Sequence, residues 1–592
     1  RKYPGQRSNV ASHDRQRPDS ECVLSELEQE SVRYVPHRTG SICAARPTTP
    51  DCVRRQSIHW CKVDFGACRQ YYRNQEEEIM MRNTSGFLCA VIGCVVAATI
   101  LSANRSFAQA TPGYNNKIPS KIMTPDKVQT RIGTLKFFDG MPDKKTVKLV
   151  YDHLDFLRGV EVFLNSIPAA SLEAIRLGNV TLGVKRFNQV AIFETLMDSN
   201  ALWLTANTDT VYASTFLNLA KDGPMVVEIP AGCGPGTVND AWFRFVVDMG
   251  IPGPDQGKGG KYLILPPDYD GEEPKGYFVA RSSSYVNWLI LRGFLVDGKP
   301  DAATKMFKDG LKIYPLKDAA NPARMEFINT SGISHNTVHA NTFTFYEEIN
   351  DVIQREPIDM IDPETRGLLA GIGILKGTPF EPDERMKKIL TDSAAVGNAT
   401  ARAIMFDQRE PGTYLYEGSR WFTPFIGRSY RWLRDGGKGG RYLDARSMFF
   451  YGATVNTPAM AAKMVGKGSQ YAYCARDKSG DYLDGSKIYR LHIPADVPAK
   501  DFWSVVAYDP QTRCMLQTDQ PFPSKNNKKD DLVANKDGSV DLYFGPKAPS
   551  GQEKNWVQTV PGKGWMVLIR LYGPLEPWFD KTWRPGDFEL VE

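Results

Sequence analysis

The chain has 592 residues, 42% of them hydrophobic, with 73 Lys/Arg against 68 Asp/Glu. Residues 1–110 hold 15 of the basic and 11 of the acidic residues, leaving 58 against 57 in the remaining 482. A near-neutral body of that length has room for two to four compact units. It has no electrostatic case for nucleic acid as a partner. Cysteines exclude a second class: only Cys233, Cys474 and Cys514 lie beyond residue 110. Three allow at most one disulfide, with the pairing open, so no disulfide scaffold is expected.

In chain order, residues 1–79 show no sustained helical or strand period, and Cys22, Cys43, Cys52, Cys61 and Cys68 have no metal-ligand spacing. Residues 80–110 then read as a secretory signal peptide. Met81-Arg82 begins it, Gly86 to Leu101 is an apolar run, and Ala108-Gln109-Ala110 is a small-x-small cleavage site. The run is shorter than the roughly 20 residues a membrane-spanning helix needs. The expectation is therefore export to the periplasm or medium, cleavage after Ala110, and no stable membrane span afterwards. Residues 1–79 are then read as a non-native upstream segment translated in frame, with the start at Met80 or Met81.

Beyond the leader, Val147, Val150, Leu154, Leu157 and Val160 recur at helical spacing and predict an amphipathic helix over 144–166. From Thr205 to about Ser284 the period falls to two, in short strands such as PMVVEIP, AWFRFVVD and KYLILPP, separated by Gly/Pro-rich loops. Residues 322–435 read as helical, with Asp362-Pro363 as a helix start and a polar helix over 382–407. From 446 onward the chain reads as strand-rich. Tyr489, Leu491 and Ile493 share one face of a strand, as do Val540, Leu542 and Phe544, and Trp565, Val567, Ile569 and Leu571 share another. The fold class expected is α+β: an N-terminal mixed α/β domain over 111–445 with its helical insertions, then an antiparallel, jelly-roll-like β-sandwich over 446–592.

Several ordered stretches carry a resemblance. NTDTVYAS, DGPMVVEIP, WFRFVVDMG and GGKYLILPPDYDG resemble domain of unknown function 1254. GSKIYRLHIPADVPAKDFWSVVAYDPQT, NKDGSVDLYFGP, NWVQTVPGKGWMVLIRLYGP and the closing WRPGDFEL resemble domain of unknown function 1214. The similarity spans roughly residues 140–592. It implies an exported bacterial protein and the tandem architecture, without a reaction.

Candidate chemistry centres on Asn207, Asp209 and Tyr212, which follow an apolar segment, and on the strand AWFRFVVD, where Trp242, Arg244 and Asp248 share a face. Together Asn207, Asp209, Tyr212, Arg244 and Asp248 would suit a small anionic or hydroxylated ligand, Arg244 offering a planar fork and the carboxylates fixing orientation. The plain alternative is an Asp209–Arg244 ion pair that pins the loop to the sheet. His335 and His339 stand four apart, but Asn336 replaces the glutamate a zincin needs, so no metal is expected. The sequence lacks G-x-S-x-G, Walker and dinucleotide patterns, and no cofactor is implied. Trp503, Tyr508 and Trp556 suit sugar stacking or, more ordinarily, a core.

The resulting expectation is a protein that binds a small polar or glycan-like molecule in the N-terminal domain near the interdomain cleft. The alternative is a cofactor-independent hydrolase or lyase with Asp209 as acid/base. A weaker one is an assembly protein working through the sandwich, with a homo-oligomer left open.

Overall fold

The computed structural model describes residues 118–591; the expected signal peptide with its cleavage site, and residues 1–79, lie outside them. The first long element is the helix Lys144–Thr181. Asp143 starts it by accepting a hydrogen bond from the Thr146 amide at 2.7 Å, which satisfies one of the free N–H groups of the first turn. The helix runs well past 166. Its continuation through Ile167, Pro168, Ala169, Ala170 and Leu172 is buried, so the two-sided polarity that marks a surface helix is absent there. The expected apolar stripe is only partly covered, with Leu154 and Leu157 exposed.

Two sheets follow. The larger has six strands in the order Glu326–Asn329, Gln189–Ile192, Thr210–Asn218, Val286–Phe294, Gly236–Asp240 and Phe245–Met249. Thr210–Asn218 pairs antiparallel with Val286–Phe294, which sets Tyr212 opposite Arg292. The smaller orders Phe278–Arg281, Gly260–Leu265, Met225–Ile229 and Lys312–Pro315. Val211, Ala213, Leu289 and Leu291 of the first sheet share one core with Val227, Ile229 and Ile264 of the second. The opposite face of the six-stranded sheet, with Tyr212, Trp288 and Ile290, packs under helices through Phe163, Phe345, Ile349, Leu390 and Phe450.

Helices Thr344–Arg355, Pro363–Ala370 and Glu384–Phe406 occupy the region expected to be helical. Asp362 and Asp383 cap the last two through the amides of Thr365 and Met386. That region is less helical than expected. It holds the strand Glu326–Asn329, and after Phe406 only short 3-10 turns precede the helix Leu443–Gly452. The strand-rich part accordingly starts at Ser469, not at 446.

Four strands then order as Ser469–Cys474, Met566–Pro574, Ala499–Tyr508 and Ser524–Asn526. Four more order as Trp556–Gln558, Val540–Gly545, Tyr489–Ile493 and Glu589–Leu590. Leu491, Leu542 and Phe544 pack with Val505, Val567 and Ile569 in one core, where Trp503 is also buried. Every residue of Met566–Pro574 is buried. Val567, Ile569 and Leu571 face that core, while Met566 and Leu568 join the core of the N-terminal sheet and helices. The chain is thus mixed α/β with mostly antiparallel sheets, and the described residues form one compact unit. Cys233, Cys474 and Cys514 are free and buried. None of the described helices is long and apolar enough to cross a membrane.

Candidate functional site

The segment Asn207–Thr210 is a self-bonded turn. Asn207 Oδ1 accepts from the amides of Asp209 at 2.9 Å and Thr210 at 3.2 Å, the habit of Asn in turns. Its amide nitrogen donates to the hydroxyls of Tyr212 at 2.6 Å and Tyr572 at 2.9 Å. Asp209 does not meet Arg244. Its Oδ2 accepts from Ser504 Oγ at 2.5 Å and its Oδ1 from Asn526 Nδ2 at 3.0 Å. Both partners belong to the C-terminal strands, so the turn fastens the two halves of the chain. Asp209 is 1% exposed and both its oxygens accept hydrogen bonds from within the protein.

Arg244 lies elsewhere because the strand AWFRFVVD is interrupted. Residues 241–244 form the hairpin turn between Gly236–Asp240 and Phe245–Met249, with Phe243 at φ 55°. Asp240 builds that turn: its Oδ1 accepts from the amides of Trp242 and Arg244, and its Oδ2 pairs with Arg244 Nε at 2.6 Å. Competition was decided by distance along the chain, since a carboxylate four residues away needs little ordering to reach the guanidinium. Asp248 falls in a third place. Its Oδ2 accepts from Thr457 Oγ1 at 2.7 Å, its Oδ1 has no partner among the described residues, and burial pushes its carboxyl up to about 6. Asn207, Asp209 and Tyr212 therefore come together, and Arg244 and Asp248 stand apart from them and from each other.

Arg244 opens onto a cleft of about 630 Å³, within the size range of small-molecule sites. Arg281, Arg431, Arg441 and Arg446 line it as well, with Trp242, Phe245, Tyr430 and Trp432 as aromatic walls. Its single lining carboxylate is Asp240, already held by Arg244 and by Ser283 Oγ at 2.7 Å. The cations are only partly answered. Arg244 Nη1 donates to the Met360 carbonyl at 2.7 Å while its Nη2 is buried without an acceptor. Arg446 Nη2 donates to Asn165, and its Nε is unpaired. Burial, and then the Arg441 cation beside it, pull the Arg446 guanidinium down to about 10. Burial followed by Arg431 and Arg244 lowers Arg441 in the same way. Burial of cations beside one another marks a region where positive charge exceeds its counter-charge.

Arg281, Arg431, Arg441 and Arg446 escaped the sequence reading; the last three lie where the expected helical region, 322–435, gives way to the expected sandwich at 446. The signal was present: RSYRWLRDGGKGGRYLDAR alternates arginine with aromatic residues, a composition suited to binding flat anionic bodies. The backbone there bends sharply, with Arg428, Trp432 and Asp435 all at positive φ. The histidines play no part in the cleft. His335 sits in a two-residue strand rather than a helix, and His339 is buried, its ring pulled down to about 3 by burial and by Arg513. Among the described residues, no group of His, Cys, Asp and Glu could hold a metal ion. Tyr508 is buried, and Trp556 donates to the Gly545 carbonyl.

Residues 187–315 match the family model described as protein of unknown function (DUF1254), and residues 468–576 match protein of unknown function (DUF1214). The two family segments stand in tandem on this chain. The Asn207–Asp209 turn belongs to the DUF1254 segment, and its partners Ser504, Asn526 and Tyr572 belong to the DUF1214 segment. The cleft combines Arg244 and Arg281 of the DUF1254 segment with Arg431, Arg441 and Arg446 from the stretch between the two. Among solved structures, a Vibrio parahaemolyticus protein determined as a structural-genomics target is similar at 18% identity and TM-score 0.47, covering 74% of this chain and 100% of its own. An uncharacterized Burkholderia cenocepacia protein is similar at 12% identity and TM-score 0.33, covering 76% and 97%. No curated protein matches the chain.

Proposed function

We propose that this is a binding protein for a small ligand that carries two or more anionic groups on a ring-shaped body, such as an acidic saccharide or an aromatic dicarboxylate. The observation that carries this reading is the cleft with five arginines and one carboxylate that is already paired. Guanidinium forks pair with carboxylate or sulfate groups, and Trp242, Tyr430 and Trp432 supply faces for a ring. The same reading includes export through residues 80–110, a division into an N-terminal domain and a C-terminal domain, and a sandwich formed by the two C-terminal sheets over their shared core. The exported protein should begin at Thr111. Mass spectrometry of the natural protein checks this, and a product that retains the apolar run Gly86 to Leu101 counts against it.

Calorimetry with digalacturonate and phthalate, beside their neutral methyl esters, tests the ligand class. The acidic forms should bind, with affinity falling as salt rises, and the esters should not. Arg441→Gln should weaken binding at least about tenfold, or ~1.4 kcal/mol. Equal binding of acids and esters, or an unchanged affinity in Arg441→Gln, overturns the proposal.

A further inference from the structure

A second space, more enclosed and far smaller, lies between the two family segments. Its volume is about 20 Å³, and its walls include Tyr212, Arg292, Val455, Tyr471, Tyr473 and Arg570. Two arginines reach it from opposite segments. Arg292 is on the strand Val286–Phe294 and is 7% exposed; Arg570 is on Met566–Pro574 and is 4% exposed. Each guanidinium leans on a tyrosine ring: Arg292 lies 5.7 Å from the centre of Tyr212, and Arg570 lies 5.5 Å from that of Tyr471.

Their hydrogen bonds are unequal. Arg570 Nη2 donates to the carbonyls of Thr205 and Ala206 and to the Tyr508 hydroxyl, but its Nε has no acceptor. Arg292 Nε is likewise buried without an acceptor among the described residues. Neither guanidinium forms an ion pair with a nearby carboxylate among the described residues. Asp209 accepts from Ser504 and Asn526; Asp248, which attracts Arg292, accepts from Thr457 and keeps its other oxygen unpaired. Removing two cations from water without a directly paired counter-charge is strongly unfavourable. Size limits what can supply that charge. A water-sized occupant requires roughly 10–15 Å³, so the chamber takes one compact ion and excludes an organic acid with a body of its own. Two wall residues, Thr205 at φ 37° and Val455 at φ 73°, hold left-handed backbone; strain of this kind collects where a ligand is clamped.

We propose that the chamber is a binding site for one compact monovalent anion of the halide class, which bridges Arg292 to Arg570 and locks the DUF1254 segment to the DUF1214 segment. The ion is independent of the ligand in the arginine cleft.

The test unfolds the full chain in urea and refolds it at equal ionic strength in either chloride or gluconate, which is too large to enter. The chloride form should melt several degrees higher, with a saturable dependence on halide concentration. Arg292→Met should remove the dependence, and the cleft variant Arg441→Gln should keep it. Crystals grown in bromide should show an anomalous peak between the two guanidinium groups, a measurement that stands even if Arg292→Met does not fold. Equal melting in chloride and gluconate overturns the proposal, as does an empty chamber in bromide. A halide effect that survives Arg292→Met but disappears in Arg441→Gln places the ion in the cleft and overturns it equally.

Discussion

The arginine cleft and the Asn207–Asp209 turn are both polar and both built partly by the DUF1254 segment, yet their hydrogen bonding is opposite. In the turn, Asn207 and Asp209 find partners in Asp209 N, Thr210 N, Tyr212, Tyr572, Ser504 and Asn526. In the cleft, Arg244 and Arg446 retain buried N–H groups with no acceptor, and Arg441 is lowered by burial and then by the neighbouring Arg431 and Arg244 cations. A matched polar cluster stabilises the fold that contains it, whereas an unmatched one gains most when a ligand arrives. The polar residues that look most like a site in the sequence are the ones that hold the molecule together.

The sharpest way to break this contrast is Asp209→Ala. The change leaves Ser504 and Asn526 facing a buried space without their acceptor, and should cost roughly 3 kcal/mol, as expected for hydrogen bonds to a charged group. Urea denaturation measures it, and calorimetry should show ligand affinity in the cleft preserved. A stable variant that has lost binding would reverse the assignment of the two regions.

Asp248 is intermediate, with one oxygen on Thr457 and the other unpaired, and it yields the next largest effect. Its folded carboxyl is raised from 3.8 to about 6 by burial. Between about pH 4 and pH 6 the folded state therefore holds a proton that the unfolded state has lost. The contribution of this group to stability is full below pH 4 and is lost as the pH rises through 6. Asp248→Asn should remove that slope and be the more stable protein at pH 7, by on the order of 2 kcal/mol. Melting curves of both proteins from pH 4 to pH 7 give the difference, and parallel curves would show that the carboxyl titrates normally.

The smallest effect on stability belongs to the cleft. Arg441→Gln, which weakens binding under the proposal above, should leave the urea midpoint within about 0.5 kcal/mol of the parent, the usual range for partly exposed positions. A large loss would mean that the cleft arginines brace the fold after all.

What the sequence determined by itself is local. Asp362 and Asp383 cap helices because a side-chain oxygen three residues ahead of an amide reaches it whatever the surroundings. Asn207 folds its own turn for the same reason. Tyr489, Leu491 and Ile493 turn inward with the two-residue period of a strand. The tertiary structure decided everything that depends on a partner distant in sequence. Periodicity could not show that Lys144–Thr181 continues past 166, because a segment buried on all sides has no polar face to mark. Nor could it show that the second side of Met566–Pro574, with Arg570 and Tyr572, packs on the N-terminal half instead of facing water. It named Arg244 as the partner of Asp209 on residue type alone, whereas the hairpin at 241–244 gave Arg244 to Asp240 and left Asp209 to Ser504, some 295 residues further on. Charge and shape are written in each residue, but which charges meet is settled only when the strands pair and the sheets pack.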